Sequence, residues 1–361
     1  MDKAHLILPE RADNFFDPII KMVASGTPLR EGLNMIVSAQ CGALICIGDT
    51  EKILTLSNGG FRIDMPFTPQ RLFELAKMDG AILLSDDLTQ IVRANLHLIP
   101  NPGILTMETG MRHRTAARMS AQTDSIVIAV SSRRSQTTLY HSGMGVTIDD
   151  DQMLLAKGYQ GILALQGLKT ILERSSMRLS FLELDDLVTV ADVVGLLARY
   201  HAMLTIAAET ERFIDFLGSN SGLLSNQLEE IMTGTADSFI LVIRDYAVTG
   251  DVKNARAIAR ALLELAPKER ESARIMSLLG FTRTFVDEDH ISPRGFRAIS
   301  RISMLDEVAV SKIIEEYGSL SAIVSDSKDG FDRLENIDFE KAGVDTARAI
   351  AKSFMQLRSV L

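Results

Sequence analysis

Glu108-Thr-Gly-Met-Arg-His-Arg-Thr115 is the stretch on which the reading of this chain turns. Thr109 is suited to cap a helix N-terminus, so Arg112, His113 and Arg114 fall in the first turn. The helix dipole and the free N–H groups there already carry partial positive charge. Two guanidiniums and an imidazole added to that end cost stability, and a bound anion is the natural compensation. Phosphate is the recurring one. The competing reading is a basic cluster that faces water or pairs with Glu108.

A second segment, Lys77-Met-Asp-Gly-Ala81, hands a helix over to a strand. Gly80 fits the left-handed residue that terminates a helix. Asp79 adds negative charge to the negative end of that helix, a repulsion that Mg2+ or Mn2+ would offset. Taken alone, an Asp-Gly pair is an ordinary turn. Together, an anion cradle and a metal-binding carboxylate are the minimum kit for chemistry on a nucleoside triphosphate. The familiar nucleotide cradles are missing from the sequence, since it has neither a Walker-A pattern nor Gly-x-Gly-x-x-Gly after a strand. Six histidines are scattered without zinc spacing. Gly143-Met-Gly145 reads as a hairpin turn, and His97 and His141 as satisfied strand histidines.

Outward from these segments, residues 1–148 read as an α/β layer arrangement with a mixed sheet. The strands expected are Ala43–Gly48, Lys52–Leu56, Ala81–Ser85, Ile91–Leu96, Ser125–Ser131, Thr137–His141 and Gly145–Ile148. Helical spacing marks Leu29–Ala39, Pro69–Lys77 and about Gly110–Ala121. Residues 149–290 read as a helical spine, with Leu154, Tyr159, Ile162, Leu165, Leu168 and Ile171 at three- and four-residue spacing, and Gly218–Gly222 as its obvious turn. Residues 291–361 carry two helix–turn–helix patterns. One is Ile299–Tyr317, broken at Met304-Leu305-Asp306, and the other is Leu334–Met355, broken at Lys341-Ala342-Gly343. The fold class expected is thus multidomain α/β plus α.

Composition sets outer bounds. The 361 residues imply two or three domains, and an apolar fraction of 46% excludes a disordered chain. A net charge of −9 means that any nucleic-acid contact must come from a local patch. The two cysteines, Cys41 and Cys46, sit in an apolar run and read as core thiols of a reduced, cytoplasmic protein. Leu6-Ile-Leu8 meets Pro9 and charge at once, unlike a signal peptide, and no apolar stretch is expected to span a bilayer, so no membrane partner is implied.

At these residues the sequence resembles the DNA-integrity scanning family of diadenylate cyclases. The likeness runs through Glu74-Leu-Ala-Lys-Met-Asp-Gly-Ala81, Ala94-Asn95 with Leu98, Glu108–Ala116, Gln122-Thr123 and Val130-Ser131-Ser-Arg-Arg134. Gly26-Thr-Pro-Leu-Arg30 and Gly59-Gly-Phe61 share it, and it extends over essentially the whole chain. The resemblance implies an N-terminal cyclase domain, a helical linker and a C-terminal helix-hairpin-helix domain. It implies the reaction 2 ATP → cyclic di-AMP + 2 pyrophosphate, with Asp79 holding Mg2+ or Mn2+ and with Arg112 and Arg114 catalytic. Gly80, Ala81, Leu98, Met111, Arg112, His113, Arg114, Thr115 and Ser131 would bind ATP. Relatives commonly have threonine where Met111 stands, and some related cyclases have an acidic residue where this chain has Ser132.

The implied partners are branched DNA, bound without sequence preference, and further copies of the chain in a ring-like octamer. Arg297, Arg301, Lys312, Lys341, Gly343, Thr346 and Arg348 are the candidate DNA contacts, since hairpin turns and nearby cations meet phosphate oxygens. Lys341 stands where the first hairpin glycine is usual. Acidic residues nearly cancel the tail's basic ones, which points to salt-sensitive binding or to several tails acting at once. The alternatives kept open are a non-catalytic, ATP-sensing DNA-repair scaffold and a nucleotidyltransferase with a mixed purine product.

Overall fold

The computed structural model describes residues 17–302, 305–329, 333 and 352. They form two compact units, one of residues 17–160 with 210–225, the other of residues 161–209 with the described residues from 226 onward. The first unit runs α1 (Asp17–Val23), α2 (Pro28–Ser38), β1 (Ala43–Ile47), α3 (Thr50–Thr55), β2 (Ser57–Asn58), β3 (Phe61–Pro66), α4 (Pro69–Ala76), β4 (Ala81–Leu84), β5 (Gln90–Leu98), α5 (Met111–Gln122), β6 (Ile126–Ser131), β7 (Gln136–His141) and β8 (Met144–Ile148). Its eight strands form a mixed sheet in the order β2-β5-β4-β1-β6-β7-β8, with β3 also paired to β5. β1 and β4 are parallel, and the other pairs are antiparallel.

β1 is the middle of the sheet because Ala43-Leu-Ile-Cys-Ile47 is apolar on both faces, and every residue of it is buried. Leu44 and Cys46, with Val127 and Ala129 of β6, meet Ala116, Ala117 and Met119 of α5. Residues of the other parity, such as Ile45 and Ile128, are equally buried on the opposite face. There α2 packs against α4 and both meet the sheet. Gly32 lets these helices approach, since a Cβ on it would lie 2.9 Å from Leu72 Cδ2. Thr27 and Thr68 cap them, each side-chain oxygen accepting a backbone N–H at 3.2 Å, and each is followed by a proline preset for the first turn.

Two local expectations fail here. Lys52–Leu56 is not a strand, because Thr50–Thr55 closes as a helical turn with Ile53 N–H donating to the Asp49 carbonyl at 3.0 Å. Ile53 is its one buried residue, and so short an apolar run has no period that separates helix from strand. Phe61–Pro66 is a strand that was not expected, although Phe61, Ile63 and Met65 alternate with polar residues. It is interrupted by a shift in register against β5 between Arg62 and Met65, where Asp64 adopts a left-handed φ of 43°.

The helices that follow are α6 (Asp151–Leu184), α7 (Val190–Leu217), α8 (Gly222–Met232), α9 (Thr235–Tyr246), α10 (Val252–Glu264), α11 (Ser272–Leu278), α12 (Phe296–Ile299), α13 (Glu307–Tyr317) and α14 (Leu320–Asp329). Contrary to the expectation from sequence, one helical stretch, Val190–Tyr246, is long and apolar enough by composition to cross a membrane, but half of its apolar window is buried. Its Val193, Leu196, Leu197, Met203 and Leu204 are core residues, which explains the composition.

In the tail, Asp306 caps α13 by accepting Ala309 N–H at 2.8 Å, while Met304 of the expected break lies outside the described residues. A second break went unread. Gly318, at a left-handed φ of 73°, ends α13, and Ser319 accepts Ala322 N–H at 3.3 Å as α14 begins. The hairpin expected around Lys341 and Gly343 lies outside the described residues.

Arg297, expected as a DNA contact, is instead buried. It is 6% exposed and pairs with Glu183, and its Nη2 also donates to Ser176 Oγ at 2.8 Å. Beside it, the buried Asp245 carboxylate accepts the N–H groups of Gly295, Phe296 and Arg297 at the start of α12, at 2.7, 2.6 and 3.0 Å. Burial, and next the Glu183 carboxylate, push the Asp245 carboxyl up. Tyr246 donates its hydroxyl hydrogen to Glu183 at 2.7 Å. Arg297 reads as basic surface in sequence because its acid lies 114 residues away. Replacing Glu183 by alanine should strand the buried guanidinium and lower stability by about 3–5 kcal/mol. Urea unfolding of the variant checks this, and a loss below about 1 kcal/mol would contradict it.

Candidate active site

Strand register collects the residues singled out in the sequence at one end of the sheet. β4 begins at Ala81, beside Leu44 of the parallel β1, and Ala81 also faces Leu96 of β5, two residues short of Leu98. β6 leaves the sheet at Ser131, next to the Val130–Ala43 pair. The entry to β4 through Asp79 and Gly80, the entry to β1 through Gly42, and the exits at Leu98 and Ser131 therefore share an end. α5 brings its first turn to the same place. The Arg112 guanidinium lies so close over Gly42 that a Cβ there would be 2.1 Å from Nη1 and 2.7 Å from Cζ.

The cap of α5 is Gly110, in extended conformation, and not Thr109. Gly110 supplies no side-chain acceptor, and the first turn holds no acidic residue, so its N–H groups and dipole stay uncompensated from within the helix. The Thr109 carbonyl instead accepts Arg114 Nη2 at 3.2 Å. Arg112 and Arg114 are exposed, and neither has a carboxylate partner among the described residues. Glu108 forms no ion pair with them among the described residues and instead accepts the Tyr140 hydroxyl hydrogen at 2.7 Å. Tyr140 Oη in turn lies 3.0 Å from His113 Nδ1. Burial lowers the pKa of His113, with Glu108 opposing and Arg134 and Arg112 reinforcing the shift. Burial and the bond to Glu108 push the Tyr140 phenol up.

Gly80 has a role other than ending a helix. α4 stops at Ala76 with Lys77 as its cap residue. Gly80 instead crosses over β5 at φ +90°, where a Cβ would be 2.8 Å from the Asn95 carbonyl carbon and 3.0 Å from the Leu96 oxygen. Asp79 is exposed just before that crossing, and its carboxylate has no partner among the described residues. Ala81 and Leu98 are buried in the cluster beneath α5, Thr115 and Ser131 are half-buried, and Met111 is exposed. Ser131 Oγ accepts Arg134 N–H at 3.3 Å. No group of three or more His, Cys, Asp or Glu side chains is arranged for a metal among the described residues. A cation here would take Asp79 and complete its shell from phosphate oxygens and water, the usual pattern for Mg2+.

Gly42, Glu108 and Tyr140 are the site residues that motif reading missed. Gly42 is silent because only the packed Arg112 shows why it has no side chain. Tyr140 lies 32 residues from Glu108, beyond any local pattern. Of the DNA candidates, Arg301 is exposed and donates to Ser180 Oγ at 3.2 Å, and Lys312 is half-buried. Lys341, Gly343, Thr346 and Arg348 lie outside the described residues.

Comparison with known proteins gives two family matches, "DisA bacterial checkpoint controller nucleotide-binding" over residues 30–144 and "DisA bacterial checkpoint controller linker region" over residues 148–286. The DNA integrity scanning protein DisA of Carboxydothermus hydrogenoformans is 40% identical, over 94% of this chain and 96% of that one. Its namesake from Symbiobacterium thermophilum is 39% identical, over 95% and 96% of the two chains. Among solved structures, DacA from Staphylococcus aureus superposes with a TM-score of 0.29 at 18% identity, over 39% of this chain and 92% of that one.

Gly42→Ala should expel the Arg112 guanidinium from its slot and weaken nucleotide binding by about tenfold with the fold retained. Titration with ATP and a melting curve check this, and unchanged affinity would show that the slot does not matter.

Proposed function

We propose that this chain, which belongs to the DNA integrity scanning protein DisA family, condenses two ATP into cyclic di-AMP and two pyrophosphates. The observation that carries the reading is the uncapped start of α5, where Arg112, His113 and Arg114 stand without a paired carboxylate at the sheet end that also holds Asp79. Cations placed at a helix N-terminus are repelled by the fold itself, and a triphosphate reverses that balance.

In each step a ribose 3′-hydroxyl gives its proton to solvent as its oxygen bonds to the α-phosphorus of the other nucleotide, and the bond from that phosphorus to the α–β bridging oxygen breaks to release pyrophosphate. Arg112, Arg114 and the N–H groups of the first turn hold phosphate oxygens and neutralise charge as it shifts toward the leaving group. His113, Thr115 and Ser131 add polar contacts, the backbone at Met111 contributes an N–H, and Ala81 and Leu98 form an apolar floor for the base. Gly80 lets the backbone approach the nucleotide. Asp79 would hold Mg2+ or Mn2+, which when bound supplies further charge neutralisation at the phosphates.

The product has two-fold symmetry, so two identical half-sites facing across a dyad are the economical catalyst. Leu105 and Met107, 97% and 99% exposed on the segment leading into α5, and Met111, 84% exposed at its first position, offer an apolar surface for a second copy. Assembly as an octamer belongs to the same proposal. So does engagement of branched DNA by the tail, with Arg301 and Lys312 as its described cations and the turn at Gly318 as a hairpin. The name shared by the relatives supports that DNA role.

Incubation with ATP and Mg2+ or Mn2+ should yield cyclic di-AMP, and Asp79→Asn should abolish it while melting as the wild type does. Wild-type turnover by that variant would remove Asp79 from the mechanism, and ATP binding without any product would favour a sensing scaffold. A verified monomer should make no product, and a monomer that turns over at the normal specific rate would refute the dyad.

A further inference from the structure

We infer that Tyr140 and Glu108 are positioning residues that hold the His113 imidazole in one tautomer, with Nε2 presented to phosphate at the start of α5. The inference rests on the reading of that helix end as a nucleotide site. The three side chains form a hydrogen-bond chain with a fixed direction. Tyr140 donates its one hydroxyl hydrogen to Glu108 Oε1 at 2.7 Å, so toward His113 its oxygen has only lone pairs. Nδ1, 3.0 Å away, must therefore carry the hydrogen of the second bond. In a neutral ring that leaves Nε2 bare.

The placement of the ring follows from the helix. His113 is the third residue of α5, between Arg112 and Arg114, and its ring meets Tyr140 edge-on with centroids 6.1 Å apart. The Cδ2 edge, which adjoins Nε2, faces the helix cap: a Cβ built on Gly110 would lie 3.5 Å from Cδ2. The charged groups that act on the ring are Glu108, which favours its protonation, and Arg134 and Arg112, which oppose it together with burial. A polyphosphate arriving at Nε2 tips this balance. The ring takes a proton from solvent, Nε2–H donates to a phosphate oxygen, and Nδ1–H stays with Tyr140. Glu108, reached through the phenol, is the countercharge that keeps the cationic ring from turning away.

Tyr140→Phe isolates the idea, because the ring is 1% exposed and loses only its hydroxyl. Imidazole 15N spectra of the full chain, with His113→Gln assigning the signal among six histidines, read the tautomer directly. The wild type should show Nδ1–H, and Tyr140→Phe should shift the free ring toward Nε2–H and, by removing the acceptor that anchors Nδ1–H of the protonated ring, weaken ATP binding by about tenfold. Glu108→Gln still accepts the phenol hydrogen and should preserve the tautomer. In a His113→Gln background, Tyr140→Phe should cost no further affinity, and an equal loss in both backgrounds would overturn the positioning role. A wild-type Nε2–H ring alongside tight ATP binding overturns this inference alone. An Nδ1–H ring in a protein that binds no ATP overturns the nucleotide reading, and the role of Nε2 with it.

Discussion

The positive end of α5 is the constraint around which the first unit is arranged. A helix start without a capping side chain, bearing two arginines and a histidine, is a local electrostatic cost that nothing within the helix offsets. The fold tolerates it because the rest of α5 is well anchored, with Ala116, Ala117 and Met119 buried against β1 and β6. Apolar burial further along the helix thus stabilises a charge arrangement that is useful only when an anion is present. Stability and function are divided between the two ends of one element.

Supporting parts follow from this division. Glycine at position 42 leaves room that the Arg112 side chain takes, and glycine at position 80 allows the segment after Asp79 to cross close over Asn95. Both are places where the absence of a side chain defines where another group can be. Glu108, just ahead of the cluster in sequence, accepts the Tyr140 hydroxyl hydrogen and is ion-paired to neither arginine among the described residues.

What could be read in the sequence was what local chemistry encodes. The apolar run Ala43–Ile47 is a buried central strand because both its faces must be covered, and Pro69 after Thr68 starts a helix because cap and proline favour the same turn. The charged cluster stood out because it opposes the helix dipole. Long-range pairing stayed hidden. Arg297 resembled surface basic charge although Glu183 lies beside it, and the His113–Tyr140–Glu108 chain joins α5, β7 and the loop before α5. Short segments failed for another reason: Thr50–Thr55 and Phe61–Pro66 are each too brief, or too interrupted, for a period to declare itself.

The pairing of Ala43 with Val130 has a consequence for the order in which the molecule can be made. During synthesis the ribosome delivers β1 long before its antiparallel neighbour, and the intervening chain must wait with one flank of a wholly apolar strand uncovered. Closure of the sheet, and with it the seating of the Arg112 side chain over Gly42, comes only after Ser131 has emerged. Until then the nascent chain is exposed to non-native association, and slow, non-local strand pairing is the step a chaperone would need to shield.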